Sequence, residues 1–269
     1  MIPEFITYLS SLKGYSGNTI KAYQADCQEF ARYIKQHTEK ARWQAITRKE
    51  VDGYIIMLTK QGQSTATTNR KLSSISALYK YMKREGYDVE NPTKYESRRK
   101  QADRIPSTIS PEAIKMAYEH ADGTTKILIG LLATTGIRID EALKLTWDDV
   151  DLTTGVLSII GKGGVARQVI TSREVAELLR SRLAGMELHC RIFAWSQRTA
   201  RYYIYQALKP YSTAKQLSPH AIRHTYATEL AKSGASAITI AKILGHKHIS
   251  TTQKYIDMAQ VPILSANIC

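Results

Sequence analysis

The chain has 269 residues and 43% apolar content, enough for one large domain or two ordinary ones with real cores, which excludes wholesale disorder. No apolar run reaches the ~18–20 residues that a bilayer span needs, and the start (Met1-Ile2-Pro3-Glu4-Phe5) lacks a basic-then-apolar signal peptide, so a cytoplasmic chain with no membrane partner is expected. The net charge of +14 is spread along the chain, with 19 basic and 11 acidic residues in 1–105 and 19 and 13 in 106–269, as suits a protein that grips a polyanion from two sides.

Residues 1–90 read as a helical bundle. A short helix is predicted around Phe5–Leu12. Ser16, Gly17 or Asn18 caps a second helix whose apolar positions Ile20, Tyr23, Cys27, Phe30 and Ile34 step by three and four, the helical period. Thr47 and Glu50 form a capping box ahead of Val51, Tyr54, Ile55 and Leu58. Ser64 opens a further helix with Thr68, Leu72, Ile75, Leu78 and Met82 inward and Gly86 at its end. Arg70, Lys71, Lys80, Lys83 and Arg84 decorate that helix. A solvated face accounts for them, but the local charge favours a DNA-facing surface.

Residues 91–109 read as a basic linker, with Pro92, Pro106, Lys94, Arg98, Arg99, Lys100 and Arg104 and almost no apolar side chains. Such a segment cannot bury enough surface to fold alone, and it suits a path along a phosphate backbone.

The second domain, 110–269, opens at Ser110-Pro111, an N-cap followed by proline at the first helical position. An apolar helix over Lys126–Thr135 ends at Gly136, and a short one follows over Ile139–Leu145. Val156–Ile160 and Arg167–Thr171 then flank Gly161-Lys162-Gly163-Gly164 as a β-hairpin, with Arg191–Trp195 as a further short strand. Helices are predicted over Ser172–Leu183, Gln197–Leu208, Ser218–Ser233, Ser236–Leu244 and near Thr251–Met258. The fold class is therefore mainly α, with a small antiparallel sheet in an α+β second domain.

Four of the seven histidines lie between positions 220 and 248. His220 and Arg223 share a face in the first turn of a helix, where the helix dipole favours an anion. A surface His–Arg pair is the plainer alternative. A zinc site is disfavoured, because Arg223 stands between His220 and His224 and no His-Glu-x-x-His pattern occurs. The three cysteines, Cys27, Cys190 and Cys269, are far apart and read as reduced thiols. Arg138 follows the helix-ending Gly136, with Glu141 three residues on; this is a phosphate clamp or a surface ion pair. Lys162 lies at the hairpin tip, and Gly163 after it breaks the Walker pattern, so no ATP site is expected. Tyr255 follows His246 by nine residues and is one of sixteen tyrosines. With an ordinary pKa near 10 it needs cations around its target before it attacks anything.

The set carries more than its members. Thr135-Gly136-Ile137-Arg138-Ile139-Asp140-Glu141, Gly161-Lys162-Gly163, His220-Ala221-Ile222-Arg223-His224-Thr225, Leu244-Gly245-His246 and Thr251-Thr252-Gln253-Lys254-Tyr255 together resemble the tyrosine recombinase (phage integrase) family. The simple two-domain layout points to an Xer-like member or the enzyme of a small mobile element. Ile139-Asp140 departs from the small polar residue many members carry before the glutamate. The resemblance implies that Tyr255 attacks the scissile phosphate, that Arg138 and Arg223 hold its non-bridging oxygens, and that Lys162 protonates the departing 5′-oxygen. It further implies that His220 assists proton transfer to or from Tyr255, that His246 donates a hydrogen bond to the phosphate, and that Glu141 steadies the pocket. No metal and no other cofactor is implied. The implied partners are double-stranded DNA with paired recombination sites and further copies of the chain, monomeric when free and tetrameric on DNA. An apolar tail (Val261, Ile263, Leu264, Ile268) is expected to dock on a neighbouring protomer or on its own domain. A type IB topoisomerase-like relaxing enzyme and a non-catalytic DNA-binding regulator are the alternatives.

Overall fold

The structure is a computed structural model that describes residues 1–39, 42–94, 107–161, 164–183, 187–246 and 248–260. Arg98, Arg99, Lys100, Lys162 and the tail from Val261 lie outside the described residues. The chain divides into two compact units, Met1–Arg104 and Ile105–Cys269.

The first unit packs α1 (Ile2–Ser11), α2 (Gly17–His37), α3 (Arg48–Lys60) and α4 (Thr65–Arg84), with a 3-10 turn at Trp43–Ala45. Each long helix starts at the residue the sequence marks. The Ser16 and Ser64 hydroxyls accept from the Thr19 and Thr67 N–H groups, and Glu50 accepts from the Thr47 N–H at 2.7 Å. Phe5, Phe30, Tyr54, Leu58, Ile75, Leu78 and Met82 fill the core, and the Phe30 and Tyr54 rings meet edge-on at 5.1 Å. Lys80, Lys83 and Arg84 are exposed, and the Arg84 guanidinium covers the Tyr8 ring at 4.7 Å.

Two of the expected DNA-facing cations are otherwise engaged. Lys71 is only 5% exposed and its ammonium is bound by Glu29, so it serves an internal ion pair; the helical period turns it inward, beside Leu72. Arg70 is half-exposed, but its guanidinium bonds to the carboxylate of buried Asp26, which also accepts from the Ser74 hydroxyl at 2.7 Å. The ends of the 91–109 stretch are also tied down. Asn91 donates to the Ser76 hydroxyl at 3.0 Å, and Ile109, 1% exposed, belongs to the core of the second unit.

The second unit is built on α6 (Gly123–Thr135), whose residues Ile127–Leu132 are all buried, so it reads as apolar all round. Around it pack α5 (Pro111–His120), α8 (Arg173–Leu183), α9 (Gln197–Leu208) and α10 (Pro219–Lys232). α7 (Ile139–Ala142) is shorter than the predicted 139–145, because its last turn tightens into i→i+3 bonds at Lys144 and Leu145. The sheet is antiparallel in the order β1 (Val150–Asp151), β2 (Val156–Ile160), β3 (Ala166–Ile170), with Val156 opposite Ile170 and Ile160 opposite Ala166. β1 was not foreseen; two residues carry no periodicity. Arg191–Trp195 is not a strand. It makes a single bridge, Thr146 to Arg191, after which Ile192 and Phe193 turn into the core. The chain opposite leaves extended geometry at once, in a 3-10 turn at Trp147–Asp149. The last helices, α11 (Ala237–Leu244) and α12 (Ser250–Gln260), fold onto α10 around a small core of Ala227, Ile240, Leu244 and Tyr255.

Candidate active site

The site forms where three chain reversals meet: the end of α6, the end of α11 and the start of α10. Gly136 ends α6 at φ 61°, and a side chain there would collide with Tyr226 and Leu244. That turn puts Arg138 at the N-cap of α7. Glu141 reaches back and accepts from the Arg138 N–H at 2.8 Å, the carboxylate half of a capping box. Its oxygens also accept from Arg138 Nη1 at 3.0 Å and from Arg167 Nη1 and Nη2 at 3.1 and 2.8 Å. The Glu141 side chain is 4% exposed. Burial alone raises its pKa, but the hydrogen bonds from Arg167 and from the Arg138 N–H outweigh that and hold the carboxyl below its ordinary value.

The guanidinia then converge on helix C-termini, whose last carbonyls lack helical partners. Arg223 donates to Gly136 O at 2.6 Å and to Leu244 O at 2.8 Å. Arg138 donates to Gly245 O at 3.2 Å and, at the long limit, to Leu244 O at 3.4 Å. Arg167 donates from Nε to Ile243 O at 2.9 Å. Arg223 is 3% exposed, and burial followed by repulsion from Arg138 lowers its pKa to about 10, so it stays charged at neutral pH.

Ser218 caps α10, accepting from the Ala221 N–H at 3.2 Å, which sets His220, Arg223 and His224 in its first turns. His220 is exposed on its outer side; the packing around its ring, then Arg223, Arg201 and Arg138, lower its pKa. His224 Nδ1 lies 2.6 Å from the hydroxyl of Tyr255, which is 3% exposed. His246 stacks against Tyr255 with centroids 6.3 Å apart, and its Nδ1 bonds to the buried Thr252 hydroxyl at 2.8 Å. Burial first, then His220 and Arg223 at His224 and Arg223 and Arg138 at His246, take both histidines down to about 4, so both rings are neutral at pH 7. Burial raises the Tyr255 pKa, an effect Arg223 and Arg138 oppose.

Arg138, Glu141, Arg223, His246 and Tyr255 thus come together, with His220 one helical turn before His224. Two neighbours were not foreseen. Arg167 lies in a strand of branched residues, and nothing local marks it. His224 has a signal, its four-residue spacing from His220, but that spacing by itself points only to a metal ligand. Among the described residues, the one group with metal-ligand reach is the exposed Glu187, His189 and Cys190, on the loop between α8 and α9.

Residues 98–260 match the family described as "Phage integrase family", and residues 2–86 match "Phage integrase, N-terminal SAM-like domain". Tyrosine recombinase XerD of Oceanobacillus iheyensis is 29% identical, over 96% of this chain and 94% of that relative. Tyrosine recombinase XerC of Anoxybacillus flavithermus is 30% identical, over 95% and 92%. Among solved structures, XerH site-specific recombinase bound to palindromic difH substrate superposes with TM-score 0.77 at 19% identity, covering 97% of this chain and 82% of that one. A lambda integrase dimer bound to a COC′ core site gives TM-score 0.76 at 19% identity, covering 97% and 95%. The chain belongs to the phage integrase family. It is a tyrosine recombinase, an enzyme of site-specific DNA recombination. No helix among the described residues is long and apolar enough to cross a membrane.

Proposed function

We propose that Tyr255 is the nucleophile of this recombinase. It attacks the scissile phosphate, forming a 3′-phosphotyrosine and freeing a 5′-hydroxyl, and the bond is later exchanged back to a phosphodiester. The observation that carries this reading is the charge balance around the tyrosine. Arg138 and Arg167 share one carboxylate, Glu141, and with Arg223 they place only some of their other donors on helix carbonyls. Such a set has positive charge to spare for a phosphate, and guanidinium forks match its non-bridging oxygens. Arg138 and Arg223 clamp the phosphate in this scheme, and His246 donates a hydrogen bond to it. Lys162 protonates the departing 5′-oxygen, Glu141 fixes the arginines, and His220 handles protons at the open side.

Fixed cations of this kind stabilise transition-state charge without needing a metal. The partner is duplex DNA with paired sites. Residues 1–90 serve as the core-DNA-binding domain and 110–269 as the catalytic domain, joined by the basic 91–109 linker with Arg98, Arg99 and Lys100. The enzyme works in the cytoplasm, monomeric when free and tetrameric on DNA, with the tail docked on a neighbouring protomer. Deleting residues 260–269 is expected to abolish cooperative synapsis while leaving single-site binding.

The test uses the full chain and DNA fragments from beside its gene. The fragment it binds is rebuilt as a nicked suicide duplex. Wild type should trap a covalent adduct and Tyr255→Phe none. An adduct with Tyr255→Phe overturns the assignment. Exchange of ends between two marked duplexes separates recombination from simple relaxation.

A further inference from the structure

We propose that His224 is a further catalytic residue, the group that takes the hydroxyl proton of Tyr255 as the tyrosine oxygen attacks phosphorus. This rests on Tyr255 being the nucleophile, and the test below separates the two. The geometry is direct: Nδ1 of His224 stands 2.6 Å from the Tyr255 oxygen, within the reach a general base needs. Water is a poor competitor, because Tyr255 is 3% exposed. His220, the other histidine of this helix, stacks on the His224 ring with centroids 6.4 Å apart, on the exposed side. It is placed to exchange protons with solvent rather than with the tyrosine.

In the forward step the Tyr255 oxygen bonds to phosphorus as the bond from phosphorus to the 5′-oxygen breaks. The hydroxyl proton moves to His224 Nδ1, giving an imidazolium, and the 5′-oxygen takes its proton from Lys162. Rejoining runs the same transfers in reverse, and His224 returns its proton to the tyrosine.

The groups facing His224 are Tyr255 from α12, His246 after α11, and His220 and Arg223 on its own helix. None is a carboxylate. Without DNA, burial and then His220 and Arg223 hold His224 near 4, and the proton stays on the tyrosine. A phosphodiester bound against Arg223 brings the missing negative charge, which raises the proton affinity of the imidazole. Substrate itself thus switches the base on.

The experiment measures the rate of covalent adduct formation on the nicked duplex against pH, for wild type, His224→Asn, His224→Gln and Tyr255→Phe. Asparagine retains an acceptor for the hydroxyl but cannot take its proton, and glutamine is the second variant in case one of them melts early. Wild type should slow as pH falls and His224 becomes protonated. Both variants should cleave ~100-fold more slowly at neutral pH and lose that acid-side fall. Variants with wild-type rates overturn the proposal. So does slow cleavage with an unchanged pH profile, which marks a merely structural role. An adduct from Tyr255→Phe instead overturns the nucleophile assignment on which the proposal stands.

Discussion

Both units bury charge, and they do so in opposite ways. In the first, two charges inside the bundle have side-chain counter-charges: Asp26 takes Arg70, and Lys71 takes Glu29. In the second, Glu141 is shared by Arg138 and Arg167, while Arg223 rests on the carbonyls of Gly136 and Leu244. A neutral pair stabilises a fold but leaves nothing to offer a ligand. A cationic surplus held by neutral carbonyls keeps its charge available, because carbonyl dipoles cancel none of it.

That difference can be broken in graded ways. The largest effect should come from Arg223→Ala. Loss of one preorganised donor to transition-state charge slows cleavage by ~10²–10³. It also leaves the buried Gly136 carbonyl without its arginine donor, at roughly 1–3 kcal/mol, and the Leu244 carbonyl with only the long bond from Arg138. Adduct rate and melting temperature read the two losses separately, and unchanged cleavage in a folded variant removes Arg223 from the clamp.

Glu141→Gln comes next. Breaking this buried ion pair should cost about 3–5 kcal/mol of the second unit's stability, and it leaves Arg138 and Arg167 unpaired. In the first unit, Glu29→Gln should cost less, since the Glu29 side chain is 33% exposed. Equal losses on unfolding in urea would erase the contrast.

The pH dependence of the two networks should also differ. Glu141 has a lowered folded pKa, so its contribution is present above its unfolded value and is lost as pH falls through the folded one. His224 and His246, both near 4 when folded, bind protons more readily when unfolded. Their effect is to lower stability as pH falls from about 6.5, the ordinary histidine value, toward 4. Hydrogen exchange between pH 7 and 5 should therefore loosen α10 and α12 before α2 and α4. The smallest effect belongs to the exposed Lys80 and Lys83. Replacing either with alanine should reduce the slope of log affinity against log salt by ~1, with the melting temperature unchanged. Lys71→Met should do the converse, moving stability rather than the salt slope.

Much of this was legible in the residues themselves. The helix starts were, because Ser16, Thr47, Ser64, Ser110, Ser218 and Ser236 announce caps locally. Arg138, Arg223 and His246 were legible because each lies close to a glycine turn or a helix start, and Tyr255, inside α12, only as the last member of the spaced set. Lys71 was misread because charge patterning ignores the face: at one residue before Leu72 it turns inward, and only Glu29, 42 positions earlier, makes that tolerable. Arg167 and His224 were missed for a related reason. Their partners, Glu141, Ile243 and Tyr255, are brought near by the packing of α11 and α12, a long-range result that no local pattern encodes.

The central claim is that the cationic surplus around Glu141 exists to make Tyr255 reactive toward a phosphate. The most direct measurement is mass spectrometry of the peptide left on DNA after protease digestion of the trapped adduct. A 3′-phosphate ester on Tyr255 is expected, lost in Arg223→Ala while the protein remains folded. A link to any other residue, to the 5′ end of the strand, or an undiminished yield from Arg223→Ala would contradict it.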